Sequence, residues 1–189
     1  MKRLPLLLLG AMLCLTITAH GATPDNDKQI YKRVDALMKK MTLQEKIGQL
    51  QQLTTGKGAI TGPEGEKVNT EEFIRRGWCG SMLNAKTSKD IAYYQNIAIN
   101  ESRLGIPILF GFDIIHGCKV IFPINLGAAC SWNMDAIRES ARIAAYEAAA
   151  MGLAWTFSPM CDISADPRWG RVSEGAGEDP YLGAAISRA

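Results

Sequence analysis

Apolar residues recur with helical spacing near the start of the chain. Ile30, Val34 and Leu37 follow an i, i+4, i+7 pattern, which places them on one face of a helix. A second helix is predicted to begin after Thr42, because Thr42 and Glu45 have the spacing of a capping box. Residues 54–68, rich in glycine and polar side chains, predict a loop. This part of the chain is therefore predicted to hold helices and a long loop.

Short apolar runs then alternate with helical segments. The further predicted elements are strands at 81–84, 108–113 and 153–163, and helices at 70–76, from Ser88 to the turn at Gly105, at 134–151 and from Pro180 onward. Asn133 and Gly152 mark the two ends of the clearest helix. Such alternation predicts an α/β fold with a parallel sheet. A (β/α)8 barrel typically needs about 250 residues, so we expect the N-terminal portion of a (β/α)8 TIM-type barrel, incomplete in this chain.

The first 21 residues have the pattern of a signal peptide. Lys2 and Arg3 precede an apolar stretch that is shorter than the roughly 20 residues a membrane-spanning helix needs, and small residues follow it. Leu13 stands before Cys14, where lipid anchoring requires a small residue. We therefore predict a signal peptide at 1–21, a domain at 22–189, no membrane anchor, and a periplasmic or secreted protein.

Charge and cysteine content exclude several classes of function. The chain has 21 basic and 19 acidic residues, and both basic residues of the signal peptide would be removed with it. The balanced remainder gives no electrostatic reason to expect a nucleic-acid partner. His116 is the only histidine after residue 21, so a zinc or haem site lacks ligands and no cofactor is predicted. Whether Cys79, Cys118, Cys130 and Cys161 form a disulfide stays open.

Two polar segments follow predicted strands and carry the candidate chemistry. Residues 111–117 read Gly-Phe-Asp-Ile-Ile-His-Gly, and residues 166–171 read Asp-Pro-Arg-Trp-Gly-Arg. In parallel α/β folds, functional side chains lie where the strands end, so Asp113 and Arg171 are expected at the same edge. A carboxylate accepts two hydrogen bonds from neighbouring hydroxyls and a guanidinium donates to hydroxyl oxygens. This pair suits the binding of a sugar.

Structural roles are possible for the same residues. Asp113 could only end its strand, and Arg171 could form an ion pair with Glu174 or Glu178. We interpret Arg168 as a brace to Asp166 and His116 as a hydrogen-bonded structural residue. The acidic residues at 174–179 fit the start of a capped helix, so no catalytic residue is assigned.

The chain resembles the N-terminal part of a glycoside hydrolase family 3 enzyme of the periplasmic β-glucosidase type. The resemblance rests on residues 41–49, 111–117, 122–124, 166–171 and 173–175, which occur in the family's order. It implies a retaining hydrolysis of terminal non-reducing β-D-glucosyl residues, with Asp113 and Arg171 binding the sugar. The family's nucleophile, a sugar-binding Lys-His pair and the acid/base have no matching position within 1–189.

The expected substrate is therefore a β-linked oligosaccharide or glucoside, bound by a chain that lacks the catalytic pair and is inactive alone. We expect 1–189 to be a fragment of a longer enzyme. A non-catalytic sugar-binding remnant, or a β-xylosidase or N-acetylglucosaminidase of the same family, is the alternative. The oligomeric state is not determined by the sequence.

Overall fold

The computed structural model describes residues 24–55 and 69–189. The predicted signal peptide and most of the glycine-rich loop lie outside the described residues. The chain divides into two units, Met1–Lys40 and Met41–Ala189. The described part of the first unit consists of the helix α1, Pro24–Met38, which the spacing of its apolar residues predicts, and a turn at Lys39 and Lys40. That residues 22–189 belong to one domain stays a prediction.

The second unit is built on a parallel sheet of four strands. They are β1 (Gln52–Thr54), β2 (Ser81–Leu83), β3 (Leu109–Phe112) and β4 (Trp155–Thr156). The strands lie in chain order, β1-β2-β3-β4, and every neighbouring pair is parallel. Their carboxyl ends therefore meet at one edge. Sequential parallel strands with helices in the crossovers are the arrangement of a (β/α)8 barrel.

The helices of this unit occupy the segments between and beside the strands. They are α2 (Leu43–Gly48), α3 (Thr70–Arg75), α4 (Ser88–Asn100), α5 (Asn125–Ala129), α6 (Met134–Met151) and α7 (Pro180–Arg188), and a 3₁₀ turn covers Val172–Glu174. In the described residues, no helix combines the length and the apolar character that crossing a membrane requires.

Three helix ends predicted from local sequence are confirmed, whereas the helix predicted from Ser88 to the turn at Gly105 already ends at Asn100 and is capped by Thr87. Thr42 and Glu45 form both hydrogen bonds of the capping box at the start of α2. The Asn133 side chain accepts a hydrogen bond from the backbone N–H of Ala136, which caps α6. Gly152 ends α6 with φ of 96°, a left-handed conformation that glycine adopts without strain.

The core of the second unit joins the central strands to the helices. Met82 of β2 and Phe110 of β3 are completely or almost completely buried, as are Ile74 of α3 and Ile97 of α4. The same cluster includes alanine residues of α6. Because β2 and β3 are fixed by this packing, the segments that leave their carboxyl ends start from well-defined positions.

Two strands differ from their predictions. β1 was not predicted, because residues 54–68 were assigned entirely to a loop, whereas Thr54 belongs to a strand whose single buried residue is Leu53. β4 was predicted at 153–163 but contains only Trp155–Thr156. Pro159 cannot donate a ladder hydrogen bond, so the strand cannot continue through the apolar run.

Candidate functional site

A cleft of about 700 Å³ opens at the carboxyl edge of β1, β2 and β3. Its lining includes Thr55, Asn84, Lys86, Asp90, Phe112 and Asp113. Polar and charged groups thus stand beside an aromatic face, a combination that suits a ligand with both hydroxyl groups and a hydrocarbon surface. The cleft lies where parallel α/β folds carry their functional residues.

Two carboxylates line this cleft, and Asp90 accepts a hydrogen bond from the Thr87 hydroxyl whereas Asp113 has no such partner among the described residues. Asp113 directly follows β3, is exposed, and forms no hydrogen bond or ion pair with any other described residue. An ionised carboxylate accepts several hydrogen bonds, and all of this capacity is available at Asp113. The predicted strand-end position of Asp113 is therefore confirmed, while its role as a ligand stays a prediction.

Arg171 lies directly before the 3₁₀ turn and pairs with Glu174 in that turn. Its Nε donates to both carboxylate oxygens of Glu174 at 3.1 Å, and its Nη2 donates to Oε2 at 2.6 Å. This hydrogen bonding raises the pKa of Arg171, and the negative charges of Glu174, Asp162 and Asp113 add to the effect in decreasing order. The structure thus forms the ion pair that the sequence offered as an alternative to sugar binding.

The two roles of Arg171 are compatible. Nε and one edge of Nη2 face Glu174, and among the described residues no acceptor lies against Nη1. Because a guanidinium has five donors in a rigid plane, the ion pair fixes the plane and leaves donors for a ligand. The lining of the cleft at Asp113 does not include Arg171, so the contact of both residues with one sugar stays a prediction.

Arg168 braces its own loop, as predicted. Its Nη2 donates to Asp166 Oδ2 at 2.6 Å, and its backbone N–H donates to Asp166 Oδ1 at 2.9 Å. The hydrogen bonds from Arg168 lower the pKa of Asp166. Asp179 accepts a hydrogen bond from the backbone N–H of Leu182 at 2.8 Å, which confirms a capped start for α7.

The segment after Asp113 is closed by His116 and held by Glu147. His116 Nδ1 lies 3.2 Å from the carbonyl oxygen of Phe122, whose N–H donates to the carbonyl of His116 at 2.8 Å. The structural role predicted for His116 is thus confirmed. Glu147 Oε2, on α6, accepts the backbone N–H groups of Val120 and Lys119, and these hydrogen bonds lower the pKa of Glu147.

A second cavity, of about 260 Å³, is apolar in character. Ile137, Ala141 and Ala144 of α6 line it together with Phe122, and no charged residue appears among its described lining. Polar side chains such as Asn125 and Ser158 also line this cavity, but it contains no carboxylate side chain that could accept two sugar hydroxyls, so the cleft at Asp113 is the better candidate site.

Within the described residues, no group of three or more His, Cys, Asp or Glu side chains could hold a metal ion. The four cysteines that the sequence left open are free thiols: Cys79, Cys118, Cys130 and Cys161. Burial raises the pKa of Cys79 to about 12, which keeps this thiol protonated and inert at neutral pH.

Comparisons with known proteins agree with one another. Residues 42–189 match the model of the glycosyl hydrolase family 3 N terminal domain. The chain is 48% identical over 163 residues to the periplasmic beta-glucosidase of Salmonella typhimurium, covering 86% of this chain and 20% of that protein. The chain thus spans about a fifth of the length of this relative.

The similar solved structures are also beta-glucosidases. The beta-glucosidase of Listeria innocua in complex with isofagomine matches with a TM-score of 0.72 and 41% identity, covering 82% of this chain and 21% of that chain. Its complex with glucose matches with a TM-score of 0.70 and 38% identity, covering 83% and 23%. These matches confirm the predicted fold, the N-terminal portion of a (β/α)8 barrel. Since the family model covers most of the chain and both comparisons agree with it, the chain belongs to glycosyl hydrolase family 3.

Proposed function

We propose that this chain supplies part of the glucose-binding subsite of a retaining β-glucosidase. The observation that carries the proposal is the unpaired Asp113 carboxylate, which lines a polar cleft at the carboxyl edge of a parallel sheet. The names of the relatives support it, since the Salmonella protein is a periplasmic beta-glucosidase and the Listeria enzyme was solved with isofagomine and with glucose.

Asp113 and Arg171 make complementary hydrogen bonds with the sugar. Asp113 accepts hydrogen bonds from two neighbouring hydroxyl groups, and the free Nη1 of Arg171 donates to a hydroxyl oxygen. Glu174 keeps the guanidinium plane fixed in the absence of sugar. A preformed donor reduces the ordering cost of binding.

Three of the four acidic residues in the 166–179 segment, all but the exposed Glu178, have structural partners. Asp166 pairs with Arg168, Glu174 pairs with Arg171, and Asp179 caps α7. A retaining mechanism needs one carboxylate as nucleophile and one carboxylic acid as proton donor. We therefore assign the catalytic pair to none of these groups and expect residues 1–189 alone not to hydrolyse an aryl β-glucoside. Measurable turnover that disappears in Asp113→Ala would contradict this expectation.

The experiment is a titration of the protein with D-glucose, followed by NMR chemical shifts. Asp113→Asn should weaken binding about 10- to 100-fold, because hydrogen bonds to a charged group contribute about 1.5–3 kcal/mol. Asp135→Asn is the matched control, since Asp135 is an exposed carboxylate on α6 that pairs with Arg138 away from the cleft. Equal affinities of Asp113→Asn and the wild type would refute the proposal.

The same titration separates the alternatives within the family. Tighter binding of D-xylose or N-acetylglucosamine than of glucose would favour a β-xylosidase or an N-acetylglucosaminidase. We also propose a periplasmic or secreted location, which the pattern of residues 1–21 and the name of the Salmonella relative support. A protein recovered with residues 1–21 intact after fractionation would contradict an exported product.

A further inference from the structure

The end of β2 carries a residue in an unusual backbone conformation. Asn84, directly after Leu83, has φ of 65°, which lies in the left-handed region. This region is strained for residues with a side chain, although asparagine tolerates it better than most. Residues held in such conformations concentrate at binding sites, where the surrounding structure enforces them.

Contacts to the neighbouring strand enforce the conformation of Asn84. Thr55 Oγ1, just beyond β1, donates to the carbonyl oxygen of Asn84 at 2.6 Å. The backbone N–H of Thr55 donates to the carbonyl of Leu83 at 3.2 Å. The Asn84 backbone is therefore fixed across the β1–β2 pair, so its side chain leaves from a defined point at the edge of the sheet.

The position of Asn84 places it beside Asp113. Leu83 pairs with Gly111 in the register between β2 and β3, so Asn84 continues β2 at the level where Phe112 leads into Asp113. Neighbouring strands lie about 4.8 Å apart, a separation that one pyranose ring can bridge. Both residues line the same cleft.

The Asn84 amide offers what the Asp113 carboxylate lacks. A carboxylate only accepts hydrogen bonds, whereas a carboxamide has two donor hydrogens and an acceptor oxygen. The side chain is half-buried and makes no hydrogen bond with another described residue. A sugar hydroxyl that donates to Asp113 keeps its oxygen lone pairs for such a donor.

We propose that Asn84 is a further sugar-binding residue, whose side-chain amide hydrogen-bonds a hydroxyl of the same glucosyl unit that Asp113 contacts. This inference rests on the proposed function, because it assigns Asn84 to the same sugar. It adds β2 to the strands that supply ligands, beyond the two residues that the resemblance implies.

The test uses Asn84→Gly, since glycine adopts the left-handed conformation without strain and removes only the side chain. The melting temperature of Asn84→Gly should stay close to that of the wild type. Its affinity for D-glucose should fall about 3- to 10-fold, because this is the change in affinity expected for the loss of one neutral hydrogen bond. Asn84→Asp is the second variant. It keeps the backbone preference, removes both donors and adds a negative charge near Asp113, so it should also bind more weakly.

Comparison with Asp113→Asn distinguishes the possible failures. Wild-type affinity in Asn84→Gly, together with weak binding by Asp113→Asn, would overturn the role of Asn84 and leave the proposed function intact. Absence of glucose binding by the wild type, or wild-type affinity in Asp113→Asn, would overturn both. Should Asn84→Gly melt far below the wild type, Asn84→Asp decides: weak binding by a stable variant supports the proposal, and wild-type affinity refutes it.

Discussion

Replacement of Glu45 by glutamine should destabilise the fold through the loss of one partly buried ion pair. Arg103 Nε donates to Glu45 Oε1 at 3.0 Å, and Arg103 Nη2 donates to Oε2 at 2.6 Å. Glu45 Oε2 also accepts the backbone N–H of Thr42 at 2.8 Å, which completes the capping box of α2. Glutamine also fits a capping box, so Glu45→Gln removes the charge while it keeps the cap.

The size of the effect follows from the pKa of Glu45. The hydrogen bond from Arg103, followed by that from the backbone of Thr42, lowers this pKa from 4.5 to about 2. At 1.36 kcal/mol per pKa unit, this shift corresponds to roughly 3 kcal/mol of stability as an upper bound. The Arg103 side chain is 55% exposed although Glu45 is only 8% exposed, and solvent screening reduces the value to about 1–2 kcal/mol.

The pH dependence has a definite sign. Because the folded-state pKa lies below the unfolded one, the stabilisation is complete above pH 4.5 and disappears as the pH falls towards about 2. Urea unfolding near neutral pH should show the loss of about 1–2 kcal/mol in Glu45→Gln, with a melting temperature lower by about 2–8 °C. The difference from the wild type should shrink in acid.

Glu139→Gln provides the matched control. Glu139 pairs with Arg142 on α6, where both side chains are more than half exposed, so its removal should leave stability unchanged. If Glu45→Gln and Glu139→Gln had equal effects, or if the deficit of Glu45→Gln were the same at neutral and acidic pH, the reasoning from partial burial would be refuted.

Three further changes test other contacts. Gly80→Ala should cost about 2 kcal/mol or more in urea unfolding, because a Cβ there would overlap the carbonyl of Gln49, and an unchanged midpoint would contradict this packing. Asn133→Ala should cost about 1 kcal/mol through the lost cap of α6, with Asn133→Asp as the control that retains it. Glu147→Ala should speed hydrogen exchange at the amides of residues 119 and 120, which lose their acceptor, and unchanged protection would argue against this tether.

Helix ends were predictable because their signals are local. Thr42 and Glu45, or Asn133 and Ala136, interact within one turn of the same helix, so sequence spacing alone determines the contact. Strand ends depend on partners far along the chain. β1 has a single buried residue, Leu53, and it is a strand because β2 lies beside it. A single apolar residue cannot show the alternation of apolar and polar positions that identifies a strand, so the sequence alone could not predict β1.

The residues of the candidate site also fall into two groups, those that the local sequence predicts and those that depend on distant contacts. Asp113 was predictable because it ends an apolar run that packs in the core. Asn84 follows a run of only three strand residues, and its positive φ is enforced by Thr55 across the sheet. Glu147 lies in an alanine-rich helix, where an isolated acid is typical of a solvated face. Its acceptor role depends on a loop that precedes it by more than 20 residues in the chain.

Arg171 shows why the two interpretations from sequence were not true alternatives. On the sequence alone, an ion pair with Glu174 and a contact to a sugar were treated as alternative roles of the Arg171 guanidinium. In the structure the ion pair occupies Nε and Nη2, and it fixes the plane of the guanidinium. A sugar hydroxyl that accepts a hydrogen bond from Nη1 would leave this pair intact and would meet a donor that is already positioned. Under the proposed function, the ion pair prepares the guanidinium for binding and does not compete with the sugar.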